Sequence, residues 1–183
     1  MDRNAAIRLL REHVHEDSLV KHCLATGAIM KAVAGDLGGD AESWERIGIL
    51  HDIDFEEISG EMQRHGIAGA AILSAHGIDK DSADIVAAHN HFLRTAPYER
   101  PVDIALQAAD SASGLIIACA LVKGGNLSGV SVKTITKKAK EKSFAAGCDR
   151  SRIALIASLM DVPVFYAYAL RGMMEIRTDL SLK

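Results

Sequence analysis

The chain has 183 residues, 49% hydrophobic and 25% charged, with a net charge of −3; that length buries about 70% of the unfolded surface in one domain without staples. The near-balanced charge does not call for a broad nucleic-acid surface. Cys23, Cys119 and Cys148 are far apart and lack CxxC or zinc-finger spacing, which fits reduced thiols in a cytoplasmic protein.

The start, "MDRNAAIRLLREHVHED", is charged throughout and lacks the apolar stretch of a signal peptide. Residues 4–13 and 18–36 read as the first two helices, the second offering Leu19, Ala25, Ile29 and Val33 to a core. "GDLGGD" at 35–40 is a stop and turn. A third helix runs from Ala41 to His51, and "RHGIAGAAILSAHG" makes a fourth with Gly77 as its terminator. A fifth begins near Asp81, with acids in the first turn where the helix dipole favours them. Pro97 and Pro101 bracket a loop, and a long helix follows to Val122. Its apolar length would span a bilayer, but Asp103, Gln107 and Asp110 make a core helix the better reading. "KGGNLSGVS" at 123–131 is the most loop-like segment, and 131–143, 149–160 and 163–178 complete the helices. Alternating patterns are scarce and NG or DG hairpin turns are absent, which argues against a sheet. The expectation is an all-α single domain over 1–183, of eight or nine helices, with its motif region at 19–120 and C-terminal helices at 131–180.

Charge is unevenly spread. Residues 36–61 carry nine acids against one base, Arg46, whereas 123–152 carry eight Lys/Arg against Glu141 and Asp149. Two solvated faces would produce this pattern. So would an acidic, metal-holding half facing a segment suited to anions.

Several residues sit oddly in their helices. "RIGILHDIDFEE" at 46–57 runs along apolar positions and then stops on His51-Asp52, followed by Asp54, Glu56 and Glu57. Asp110 interrupts "ALQAADSASGLII", where a carboxylate needs a partner or a cation. Taken singly, each has a bland reading: a structural ion pair for Asp110, a core or surface histidine for His22, a helix-start residue for His65. His13, His15 and His76 have no compelling functional reading. His89 and His91 point to opposite sides of a regular helix, and His89 is the better ligand because Ile85 shares its face. For Asp54, Glu56 and Glu57 a solvated acidic turn is preferred over acceptors for ligand histidines.

Taken in order, His22, His51-Asp52, His65, His89 and Asp110 resemble the His…His-Asp…Asp pattern of the HD superfamily of metal-dependent phosphohydrolases. The segments "ILHDID", "HGIAGAAIL", "AAHNH" and "QAAD" look most like its bacterial HDIG-type branch. The resemblance covers about 19–120. It implies an all-α HD domain in which His22, His51, Asp52 and Asp110 hold one metal. It further implies that His65 and His89 hold a second ion bridged by Asp52, which also positions water. Imidazole and carboxylate ligands suit one or two ions of Fe, Mn, Co, Ni or Zn. The chain departs from the pattern at Asp54, where glycine is usual, and at Phe55, where lysine is common; no GYP motif follows.

The expected activity is hydrolysis of a nucleotide or other small phosphorylated metabolite, a phosphomonoester or phosphodiester, through metal-activated water. Arg64, Arg94, Lys123 and Lys133 are the candidate phosphate donors. The alternatives are a non-catalytic metal-containing ligand-binding or regulatory module and, third, a di-iron oxygenase. The expected partner is the small substrate, with no membrane contact; a homo-oligomer is left open.

Overall fold

Carboxylate and hydroxyl caps set where many of the helices begin. Asp2, Asp40 and Asp79 each accept from the backbone N–H three residues on, and Ser131 and Asp149 cap two later helices. Such caps satisfy amides that have no partner within the helix. A computed structural model describes residues 1–183. Its helices are α1 (Arg3–His13), α2 (Asp17–Ala34), α3 (Ala41–Leu50), α4 (Ile67–Ala75), α5 (Lys80–Ala88), α6 (Pro101–Leu121), α7 (Val132–Ala139), α8 (Arg150–Ala154) and α9 (Val162–Glu175). Short 3-10 turns occupy Gly35–Leu37, Leu127–Gly129 and Leu155–Ser158, and there is no strand.

Helix α2 is the hub, packing against α3, α6 and α9. Its crossing with α3 depends on two glycines. A Cβ on Gly48 would lie 2.7 Å from the Gly27 Cα, and one on Gly27 would lie 2.9 Å from the Glu45 carbonyl oxygen. No side chain fits at either position, so the two backbones touch. This close crossing brings His22 of α2 beside His51 at the end of α3.

The apolar run of α3 then makes sense. Ile49, Leu50 and Ile53 are fully buried around His51 and Asp52, each contributing about 1.5–3 kcal/mol by burial. That packing anchors the backbone carrying the His-Asp pair. Helix α6 is long and apolar enough to cross a membrane, but here most of it is buried inside the fold. It packs on α2 and α8, and Ala105, Ala108, Ala109 and Ala112 allow close approach.

Some boundaries differ from the sequence expectation. Helix α3 ends at Leu50, and residues 51–60 continue as successive turns. Helix α4 starts at Ile67 rather than Arg64, because Gly66 has φ +80° and a Cβ there would lie 2.7 Å from the Val86 carbonyl. The 149–160 helix divides into α8 and a 3-10 turn, and α9 ends at Glu175.

Candidate metal centre

Six polar side chains from five parts of the chain converge under the α2–α3 crossing. His22 comes from α2, His51 and Asp52 follow α3, His65 precedes α4, His89 ends α5 and Asp110 lies on α6. The ligand atoms of His22, His51 and Asp52 lie within 4.8 Å of one another, as do those of Asp52, His65 and His89. Asp52 is common to both triplets. Its Oδ1 is 3.3 Å from His51 Nε2, 3.3 Å from His65 Nε2 and 3.2 Å from His89 Nε2, while its Oδ2 faces His22 Nε2 at 3.5 Å. Asp110 Oδ1 is 3.4 Å from His22 Nε2. His51, Asp52, His65 and His89 are buried; His22 and Asp110 are partly so.

All four imidazoles are held in one tautomer by the protein. His51 Nδ1 donates to the Gly48 carbonyl at 2.9 Å, and His89 Nδ1 to the Val86 carbonyl at 2.6 Å. His65 Nδ1 donates to Asp54 Oδ1 at 2.9 Å. Ser113 Oγ gives its own proton to the Asp110 carbonyl, so it accepts from His22 Nδ1 at 2.9 Å. Every Nε2 is thereby turned inward, where it can offer its lone pair once a cation replaces any proton there, the arrangement that orients metal-bound histidines.

The donor set fits a cation. Nε2 atoms meet at 3.3 Å between His22 and His51 and at 3.0 Å between His65 and His89. Metal–nitrogen bonds of about 2.1 Å place neighbouring ligands roughly 3.0–3.4 Å apart. Two carboxylates with four imidazoles suit a divalent transition ion.

The electrostatics point the same way. Burial works to lower the His22 pKa, but Asp110 and Asp52 together outweigh it and push it up to about 10. His65 behaves alike: burial lowers it, while Asp52 and Asp54 raise it to about 9. His51 is dominated by its burial and falls to about 4. Burial opposes the charge on Asp52 and Asp110, yet the surrounding histidines hold both carboxyls below their ordinary range. The centre draws positive charge, and protons take the cation's place without it.

Asp54 has a different place from the solvated turn preferred on sequence grounds. It is fully buried. Oδ1 accepts from His65, while Oδ2 accepts from the backbone N–H of Gly66 at 2.7 Å and of Gly69 at 2.8 Å. One carboxylate therefore orients a candidate ligand and caps the start of α4. Glu56 instead accepts from the N–H of His15 and Glu16 at the start of α2, and the exposed Glu57 pairs with His13. Phe55 sets its ring edge-on to His65, with centroids 5.4 Å apart.

A cavity of about 310 Å³ opens beside the centre, with Asp52, His65, His89, Asp110 and Arg152 in its wall. Arg152 donates from Nη2 to Asp110 Oδ2 at 2.5 Å and from Nε to Gln107 Oε1 at 2.7 Å. Asp110 thus makes the ion pair that was its bland reading while also facing His22. A larger cavity, about 570 Å³, lies along α2 and α9 and includes none of the candidate ligands.

The four phosphate donors expected from sequence lie elsewhere. Arg64 is exposed and pairs with Glu61 at 3.3 Å. Arg94 donates to the Ala96 and Pro97 carbonyls and stacks on Tyr98. Lys123 and Lys133 are exposed on the segment after α6 and on α7. None lines the 310 Å³ cavity. Nothing in the sequence around them showed which way their side chains point. Ser113, Gln107 and Arg152 escaped sequence reasoning because each is linked to its partner only by the fold. Arg152 at least belonged to the basic stretch singled out as suited to anions.

Comparison with known proteins agrees with this geometry. The HD domain family matches residues 19–119. The chain is 33% identical over 98 residues to proteins named ribonuclease Y from Nitratidesulfovibrio vulgaris strains DP4 and Hildenborough. It is 29% identical over 97 residues to one from Oleidesulfovibrio alaskensis. In each case the matched region is 53% of this chain but only 18% of the relative. No solved structure is a significant match. HD domains bind divalent metals and are generally hydrolases, and the His/Asp cluster here could hold such an ion. The chain belongs to the HD domain family, within the superfamily of metal-dependent phosphohydrolases.

Proposed function

We propose that the chain hydrolyses a phosphate ester of a nucleotide or another small phosphorylated metabolite. One observation carries the reading: two ligand triplets share Asp52, and Asp52 also lines a cavity open to a ligand. At about 310 Å³ that cavity is at the small-molecule end of the usual range. A divalent cation, when bound, supplies Lewis acidity that activates water and draws charge from a phosphoryl oxygen.

The protein's own groups do the rest. His22, His51, Asp52 and Asp110 would hold one ion, and His65 and His89 with Asp52 a second. Gly48, Val86, Ser113 and Asp54 keep the four rings turned with Nε2 inward. Asp52, between the triplets, positions the attacking water, and Phe55 screens one side of His65 from solvent. The relatives' name, ribonuclease, supports a phosphodiester as the bond cleaved; the short overlap leaves a monoester as the competing substrate.

Metal-replete protein incubated with a panel of nucleotides, short oligonucleotides and phosphorylated metabolites tests the proposal. Metal-dependent release of phosphate or nucleoside monophosphate is expected. Protein that keeps its metal and releases neither would leave the second reading, a ligand-binding or regulatory module. The presence of Phe55 in the place of lysine favours that second reading.

A further inference from the structure

We propose that Arg152 is the anion anchor of this site, using its Nη1 edge to hold a phosphoryl oxygen of the ligand in the 310 Å³ cavity. The inference rests on the proposed function for its ligand class and on the contacts of Arg152 for its residue. Those contacts are unusual for an arginine that only neutralises an acid. A guanidinium offers five N–H donors in a planar fork, and a fork serving one carboxylate usually meets it with two parallel bonds. Here a single N–H bond reaches Asp110, and Nε goes to Gln107. Both partners sit on α6, so the plane is locked at two points. Nη1 makes no hydrogen bond within the protein, and the side chain is 14% exposed at the cavity wall. A pre-set guanidinium edge with two spare donors is suited to a phosphoryl group.

Charge complementarity strengthens the case. Arg152 is the sole Lys or Arg in the cavity wall, which also contains the carboxylates of Asp52, Asp110 and Asp149. Asp149 is engaged by the N–H and Oγ of Ser151. An anion would be repelled by such a wall unless Asp52 and Asp110 were answered by cations. Metal at the centre and Arg152 at its edge would do this together, so anion binding should require both.

Arg152 also comes from beyond the family-matched residues 19–119. Helix α8 is fastened by Ile153, and the following turn by Ile156, both buried. The C-terminal part of this chain would therefore supply the ligand's charge partner to a metal centre built by the rest.

Inorganic phosphate is the probe. Its affinity for metal-replete wild type, Arg152→Gln and Arg152→Lys is measured by calorimetry, with metal content by elemental analysis and folding by thermal melt. The expected result is binding by wild type only with metal present, and about tenfold or more weaker binding by Arg152→Gln at unchanged metal content. Arg152→Lys should recover part of the loss. Equal phosphate affinity in Arg152→Gln, or no phosphate binding by metal-replete wild type, would overturn the anchor. Loss of metal from both variants would also overturn it, making Arg152 a partner of Asp110 alone. The hydrolysis reading fails separately: phosphate held through Arg152 with no turnover of any substrate sinks that reading and leaves the anchor standing.

Discussion

Asp54 stands where the HDIG pattern has glycine, yet it is fully buried and accepts three hydrogen bonds. Replacing it by glycine, Asp54→Gly, strips the acceptor from His65 and two backbone amides. Lost outer-shell acceptors typically cost 10–100-fold in metal affinity, and an unsatisfied buried donor costs about 1–3 kcal/mol. The expected variant binds metal at least about tenfold more weakly at the His65–His89 triplet and unfolds at lower denaturant. Metal titration with chemical denaturation checks both, and unchanged values would make Asp54 incidental. With His22 raised to about 10 and His65 to about 9, both carry protons at pH 7.5 in the cation-free protein. Metal binding there should release about two protons, and affinity should climb as pH rises through 9 and 10. Calorimetry in buffers of different ionisation enthalpy measures the release. For the cation-free fold the sign is reversed: these raised pKa values stabilise it fully below pH 6.5, and that contribution is lost as pH rises through about 9 and 10. That His22, His51, Asp52, His65, His89 and Asp110 belong together was legible in sequence from their types, order and helical context. Asp54 was not, since an acidic turn reads the same whether a carboxylate faces water or a histidine.

At the scale of elements, the α2–α3 crossing decides whether His22 can meet His51. Gly48→Ala would force a Cβ to 2.7 Å from the Gly27 Cα, so the helices must separate. Overpacking of this kind costs about 1–3 kcal/mol. The variant should melt lower and bind metal more weakly even though no ligand has changed; wild-type stability and affinity would refute the close-approach account. Periodicity made most helices readable, including α6 as core despite its bilayer-length apolar run. The start of α4 was not readable, because its cap is Asp54, distant from Gly66 and Gly69 by 12 and 15 residues. Nor could local pattern show that α8 returns Arg152 to Asp110, 42 residues earlier.

Across the whole molecule, five separate parts of the chain must be in register before the His/Asp cluster exists. Metal that binds this folded set, and not the open chain, stabilises by mass action, about 2.7 kcal/mol at a hundredfold excess over Kd. Chelation should therefore lower the melting temperature, and re-addition of metal should restore it. An unaltered melt after confirmed metal removal would show that the fold does not depend on the centre. The all-α architecture followed from the absence of strand patterns, while the pairing of α2 with α3, α6 and α9 emerged only from packing. If metal binds as proposed, Asp52 joins two ligand triplets around it. Anomalous diffraction from a crystal of metal-loaded protein tests this most directly. A peak is expected within about 2.0–2.3 Å of Asp52 and of Nε2 atoms from His22 and His51, with any second peak touching His65 and His89. Fully loaded protein showing its metal elsewhere, with no peak in bonding reach of Asp52, would contradict it.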